Sequence, residues 1–178
     1  SELATAEDEL TAAEAEFEER VEALADQASE FDVEVAAENL EKLRDTVVPD
    51  LIEDTNAELN DIGNAIAEHR NDKQRYEEDL AEIKDLGEQD KCPKCGKTVE
   101  DAHVESEVEE LEAAIAAAQE AVEDAQDTEA DLQSRKDELQ AFREDLLDTI
   151  TYRDDTLEAA RDEVESLRDE VEEMQSRI

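Results

Sequence analysis

The sequence predicts an all-α protein, a long antiparallel coiled-coil hairpin turned at a Cys-x-x-Cys apex. Three observations predict it. The composition is that of long helices, with 42% charged and only 3% aromatic residues. An apolar heptad runs through residues 104–178 without slipping. The one cluster of glycine and proline lies near the middle of the chain, where two arms of similar length would meet.

Composition alone leaves two classes open. Low hydrophobicity with a net charge of -41 is also the signature of disorder. The coiled coil differs by its regular apolar period, so periodicity decides. With no Trp, three Phe, three Gly and two Pro in 178 residues, an ordinary globular core is excluded. The 58 acidic residues outnumber the 17 basic ones along the whole chain rather than in one tail. Such an evenly acidic surface suits concentrated salt, where screening removes much of the self-repulsion, and points to a halophilic source. It also argues against direct nucleic-acid binding by these residues, because phosphates need Lys and Arg. No stretch approaches the ~20 apolar residues of a membrane span, and no signal peptide is evident. The chain starts without methionine and stops inside an apolar pattern, which suggests a segment of a longer protein.

The ascending arm is placed at residues 1–86. Leu3, Ala6, Leu10, Ala13, Phe17, Leu24 and Phe31 follow one heptad register. Val48, Ile52, Thr55, Leu59, Ile62, Ile66, His69, Tyr76, Leu80 and Ile83 resume it in the same phase. Between them that register puts Glu34, Glu38, Glu41 and Asp45 on the seam, while the apolar residues Val33, Ala36, Leu40, Leu43 and Val47 form a displaced stripe. Pro49 follows and disfavours helix just before it. Residues 32–50 therefore read as a break or stutter, with Asp32 as a candidate cap of the restarted helix.

The apex is placed at 87–103 and the descending arm at 104–178. In the descending arm, alternating steps of four and three pass through Val108, Leu111, Ile115, Val122, Leu132, Leu139, Leu146, Ile150, Leu157, Val164, Leu167 and Val171. Glu129, Lys136, Arg143 and Arg153 interrupt the series. Pairing Ile83 with Val104 and continuing outward would set Asp45 against Arg143 and Glu34 against Arg153. Two outcomes are expected there: register-fixing ion pairs, or an open solvated stretch where the helices splay.

Chemistry is concentrated at the apex. Cys92 and Cys95 are the only cysteines, in the run Lys91-Cys92-Pro93-Lys94-Cys95-Gly96-Lys97. Their spacing can put two sulfurs on one side of a tight turn, and the three lysines favour thiolates. Structural zinc takes four ligands in a tetrahedron, and this chain supplies two thiolates. The simplest completion is a second copy of the same tip, one Zn2+ shared by two chains of a homodimer. Three other readings stand beside it: a redox couple, an intramolecular disulfide, and His103 as a third ligand. A coiled-coil dimer held by its arms, with redox-active or incidental cysteines, is the rival at the level of the whole chain. The arms present no compact pocket, so no catalysis is expected within these residues.

Cys92-Pro93-Lys94-Cys95-Gly96 between two long arms, followed by Lys97-Thr98-Val99 and His103, resembles the zinc hook of the Rad-fifty family. These are SMC-like ATPases of DNA double-strand-break repair that work with a Mre-type nuclease. The resemblance covers the whole chain as architecture and residues 92–103 as motif. It implies that Cys92 and Cys95 ligate zinc and that ATPase heads lie beyond the arms, since no phosphate-binding loop occurs here. DNA and the nuclease would be partners of the parent protein only. It further implies a cytoplasmic, nucleoid-associated protein, here of a halophilic archaeon. Archaeal SMC-related proteins that organise chromosomes carry similar hooks, and the motif does not separate the two.

Overall fold

The computed structural model describes residues 1–89 and 101–178. The fold is all-α, and no strand occurs among the described residues. The main helices are α1 (Glu2–Ala28), α2 (Leu40–Lys42), α3 (Val48–Gly87), α4 (Asp101–Tyr152) and α5 (Glu158–Ser176). Two π turns, Leu43–Val47 and Arg153–Leu157, lead into α3 and α5. The chain divides into two compact units, residues 1–54 with 136–178, and residues 55–135. No described helix is long and apolar enough to cross a membrane.

In the first unit, α1 buries Ala6, Ala13, Phe17, Leu24 and Ala28, a stripe of seven- and four-residue steps down one helix face. Its partners run backwards through the C-terminal residues. Arg168 meets Glu7 at 3.0 Å, and Arg161 lies 3.9 Å from Glu14. The Arg20 guanidinium stacks 4.4 Å above the Tyr152 ring. Gln27 donates to Asp145 at 2.8 Å, and the rings of Phe31 and Phe142 meet at 5.9 Å between centroids. The two sides are therefore antiparallel here.

After Phe31 the chain turns back. Asp32 adopts a left-handed conformation, φ 56° and ψ 42°, which ends the helix. A carboxamide or short carboxylate tolerates this region better than most side chains. Asp32 thus stops one helix, whereas the sequence suggested that it starts the next. Residues 33–36 are outside any helix, and Ala36 is extended. Asn39 holds this return in place: its Oδ1 accepts from the Ala36 N–H and its Nδ2 donates to the Glu34 carbonyl, both at 2.9 Å. Val35 and Ala37 lie against Phe17, Val21 and Ala25 of α1 around a shallow groove.

The return changes what faces what. Glu41 pairs with Arg153, which lies farther from α4's start than Phe142 and Asp145, the partners of the earlier Phe31 and Gln27. The chain has moved backwards along its partner before α3 sets off. Three stretches therefore share one core. Leu24 and Phe31 come from the first, Leu40, Leu43 and Val48 from the second, and Leu139, Phe142, Leu146, Ile150 and Leu157 from the third. All three phenylalanines of the sequence are buried in this unit.

Neither expected ion pair forms. Arg143 is exposed, and Phe142, only 1% exposed, takes the buried position beside it. Asp45 is exposed and pairs with its neighbour Arg44 at 2.7 Å. Arg153 reaches Glu41 rather than Glu34. The reason is geometric: the reversal adds residues on one side only, so pairings counted from the middle of the chain go out of step. The π turn before Pro49 has a local cause. Pro49 lacks the N–H that would reach Asp45, and its ring crowds that carbonyl. Widening the preceding turn, with Val48 N–H bonded to Leu43, relieves the crowding.

The second unit is thinner. Thr55, Ile66, Ala118, Val122 and Ala125 are buried, while Leu59, Ile62, His69, Tyr76, Leu80, Ile83, Val108, Leu111 and Ile115 are half-buried on the register positions expected for them. Lys73 donates to Gln119 at 2.7 Å, and Lys84 lies 3.9 Å from Glu112. Two alanines in the buried set let the helices approach closely with little bulk between them.

Candidate metal centre

Cys92 and Cys95, with Lys91, Pro93, Lys94, Gly96 and Lys97, lie outside the described residues. What the structure describes is the pair of helix ends from which that segment departs. Gly87 was grouped with the apex by sequence, yet it is the last residue of α3. Beyond it the chain makes one more turn, with Glu88 N–H donating to the carbonyls of Lys84 and Asp85 and Gln89 N–H to that of Leu86. These bonds satisfy carbonyls that a helix end leaves open. On the other side, α4 starts at Asp101, and His103 is an exposed residue of its first turn.

The two ends touch. A Cβ built on Gly87 would lie 2.8 Å from Val104 Cγ1 and 3.8 Å from both Val104 Cβ and Cγ2. Hence α3 and α4 come together at Gly87 and Val104, on either side of the stretch that lies outside the described residues. Sequence reasoning missed this contact. Its signal was a glycine at the end of an uninterrupted heptad, one residue after Leu86, where a turn residue was not yet needed.

His69 is half-buried on α3 within the second unit. Among the described residues no group of three or more His, Cys, Asp or Glu side chains is arranged to hold a metal ion. Among the described residues the carboxylates are spread along the helices and the turns between them instead of converging.

Among the described residues, the clear shifts in ionisation lie in the first unit. Hydrogen bonding to Arg153 holds the Glu41 carboxyl below its usual value, assisted by the positive charges of Arg153 and Arg44. The same bond to Glu41, with a second to Asp154, raises the Arg153 guanidinium further. Arg44 likewise lowers Asp45 through a direct hydrogen bond. These are ion pairs on a helical surface, which perturb ionisation without implying a reactive site.

No protein-family model, curated protein or solved structure matches this chain.

Proposed function

We propose that this chain is a zinc-dependent tether: an antiparallel coiled-coil hairpin whose tip, through Cys92 and Cys95, shares one Zn2+ with the tip of a second copy. The observation that carries the reading is the place of the C-x-x-C pair. In sequence it lies between two long helices that meet at Gly87 and Val104. On the proposed hairpin the pair would stand at the tip, where a second copy can approach it. Two thiolates leave a tetrahedral zinc half-ligated, and a two-fold axis through the metal completes the set without new residues.

Metal affinity and association are then one equilibrium. Lys91, Lys94 and Lys97 oppose the charge of four thiolates brought together from two acidic chains. By resemblance, the parent protein is an SMC-like ATPase of the Rad-fifty type acting in DNA double-strand-break repair, with chromosome organisation as the alternative. These residues contribute the linkage and no catalysis. The acidic arms suit a halophilic cytoplasm and leave DNA to the parts beyond them.

The test is mass and metal measured in one fraction: light scattering on a sized peak in high salt, with zinc quantified alongside. The tether predicts one zinc per two chains, and monomers after chelation or after Cys92→Ser with Cys95→Ser. A dimer that survives both treatments would be held by its arms, and a zinc-free monomer from a reduced, zinc-supplemented preparation would end the reading.

A further inference from the structure

We propose that the shallow groove beside α1 is a docking surface for an amphipathic helix of a basic partner protein, which seats an apolar row in the groove and sets lysine or arginine against its acidic rim. The inference does not depend on the zinc-tether reading. The floor consists of Phe17, Val21 and Ala25, which follow at four-residue steps and so share one face of α1. Val35 and Ala37, from the return after Phe31, supply the opposite wall. Phe17 is buried, whereas Val21, Ala25 and Val35 are half-buried and Ala37 is exposed. The rim is Glu18 and Glu22, both exposed. On the same helix Glu7, Glu14 and Glu16 are each paired with an arginine, whereas Glu18 and Glu22 make no ion pair among the described residues.

Shape and charge choose the occupant. The open space is about 220 Å³, below the roughly 300–1,000 Å³ of small-molecule sites. From Phe17 to Ala25 the floor runs about 12 Å, at ~1.5 Å per residue. A row of apolar side chains at i and i+4 on a docked helix matches that length. Glu18 and Glu22, four residues apart on one helix, repel each other, and a cation set between them removes the repulsion. A second copy of this chain matches badly, since each copy carries a net charge of -41. Phosphate-bearing surfaces, whether nucleic acid or anionic lipid, are repelled in the same way. A basic amphipathic helix matches both the sign of the rim and the form of the floor.

The probe is a fluorescein-labelled helical peptide with leucines at i and i+4 flanked by lysines. It is titrated with the full chain and read by anisotropy at low salt and at about 1 M salt, where the Debye length falls to about 3 Å. One comparison peptide has its leucines scrambled off the row, and another has glutamine in place of lysine. Ala25→Leu fills the groove with a good helix former, and Ala37→Leu narrows it from the other wall. Glu18→Gln with Glu22→Gln neutralises the rim. Asp8→Asn with Glu9→Gln removes as much charge elsewhere on α1. The lysine–leucine peptide is expected to bind, and each leucine variant to weaken it about tenfold at both salt concentrations, the scale of one apolar side chain left unburied. The rim pair weakens it about fivefold at low salt and hardly at high salt. The Asp8 and Glu9 pair changes it less than about twofold. Circular dichroism checks the fold of every variant, and if one leucine variant unfolds the other is read. No binding, equal binding of the scrambled peptide, or leucine variants that bind as the unaltered chain does overturns the docking surface. Equal binding of the glutamine peptide overturns the basic partner. Self-association in chelator that Ala25→Leu abolishes gives the groove to a second copy, and overturns the proposal too.

Discussion

Replacing Phe142 and Arg143 one at a time distinguishes the observed packing from the one read along the heptad. The steps of four and three put Arg143 on the seam; the structure buries Phe142 to 1% exposure and leaves Arg143 outside. A phenylalanine burying about 200 Å² at roughly 25 cal/mol per Å² gives about 5 kcal/mol as an upper bound. Alanine retains part of that area, and the unfolded chain already hides some, which lowers the expectation for Phe142→Ala to about 3–4 kcal/mol. Within this, the ring contact with Phe31 accounts for about 0.5–1.5 kcal/mol, which a double-mutant cycle with Phe31→Leu isolates. Arg143→Ala is expected to stay within about 0.5 kcal/mol, as for exposed sites away from special features.

Urea unfolding at fixed high salt, followed by circular dichroism, supplies the measurement. With m of about 2 kcal/mol/M, Phe142→Ala lowers the midpoint of the first unit by about 1.5–2 M, and Arg143→Ala leaves it in place. A larger loss from Arg143→Ala than from Phe142→Ala would refute the reversal at residues 32–39, since only a straight ascending arm puts Arg143 inside.

Three further outcomes are expected. Gly63→Ala should stabilise the protein by about 0.5–1 kcal/mol, because the added Cβ meets nothing and the helix gains a better former; an unchanged or lower melting temperature would count against the open space there. Asp32→Gly should be tolerated and Asp32→Val should destabilise by about 1–2 kcal/mol, because φ is 56° and a β-branched side chain is strained in that region; equal melting temperatures would remove the left-handed turn. Glu41 titrates below its ordinary 4.5 because Arg153 bonds its charged form, so its contribution is present above pH 4.5 and is lost as pH falls through the folded value. Arg153→Gln should therefore flatten the fall in stability below pH 4.5 and, with the Glu41 side chain 45% exposed, cost only about 0.2–1 kcal/mol at neutral pH; parallel acid curves for the two proteins would show that the pair is not the cause.

The helical class was legible because apolar spacing is a local property. Ala6, Ala13, Phe17 and Leu24, and again Thr55, Ile66, Val122 and Leu139, are buried where the heptad puts them. What periodicity does not carry is the identity of the partner. A heptad fixes which face of a helix is covered, and several partner stretches satisfy it equally well. Arg153 shows this: it is half-buried, as a seam position should be, but its partner is Glu41 rather than Glu34. The Gly87–Val104 contact was hidden for a related reason, since a glycine beside a predicted turn is explained too easily by the turn.

The reversal itself follows from where the carboxylates fall. A straight helix through residues 32–47 would carry Glu34, Glu38, Glu41 and Asp45 into the seam, and each ionised carboxylate withdrawn from water without a matched partner costs several kcal/mol. The opposite face would leave Leu40 and Leu43 in water. Turning back exposes Glu34, Glu38 and Asp45, gives Glu41 an arginine, and buries Leu40 to 0% and Leu43 to 1% exposure. Full burial of each leucine is worth about 1.5–3 kcal/mol. Against this stand the left-handed Asp32, about 1–2 kcal/mol, and a few helical hydrogen bonds, some of which Asn39 replaces. The balance favours the reversal by several kcal/mol, and it does so through charge placement: the residues that look like a fault in the heptad are those that forbid the straight arm.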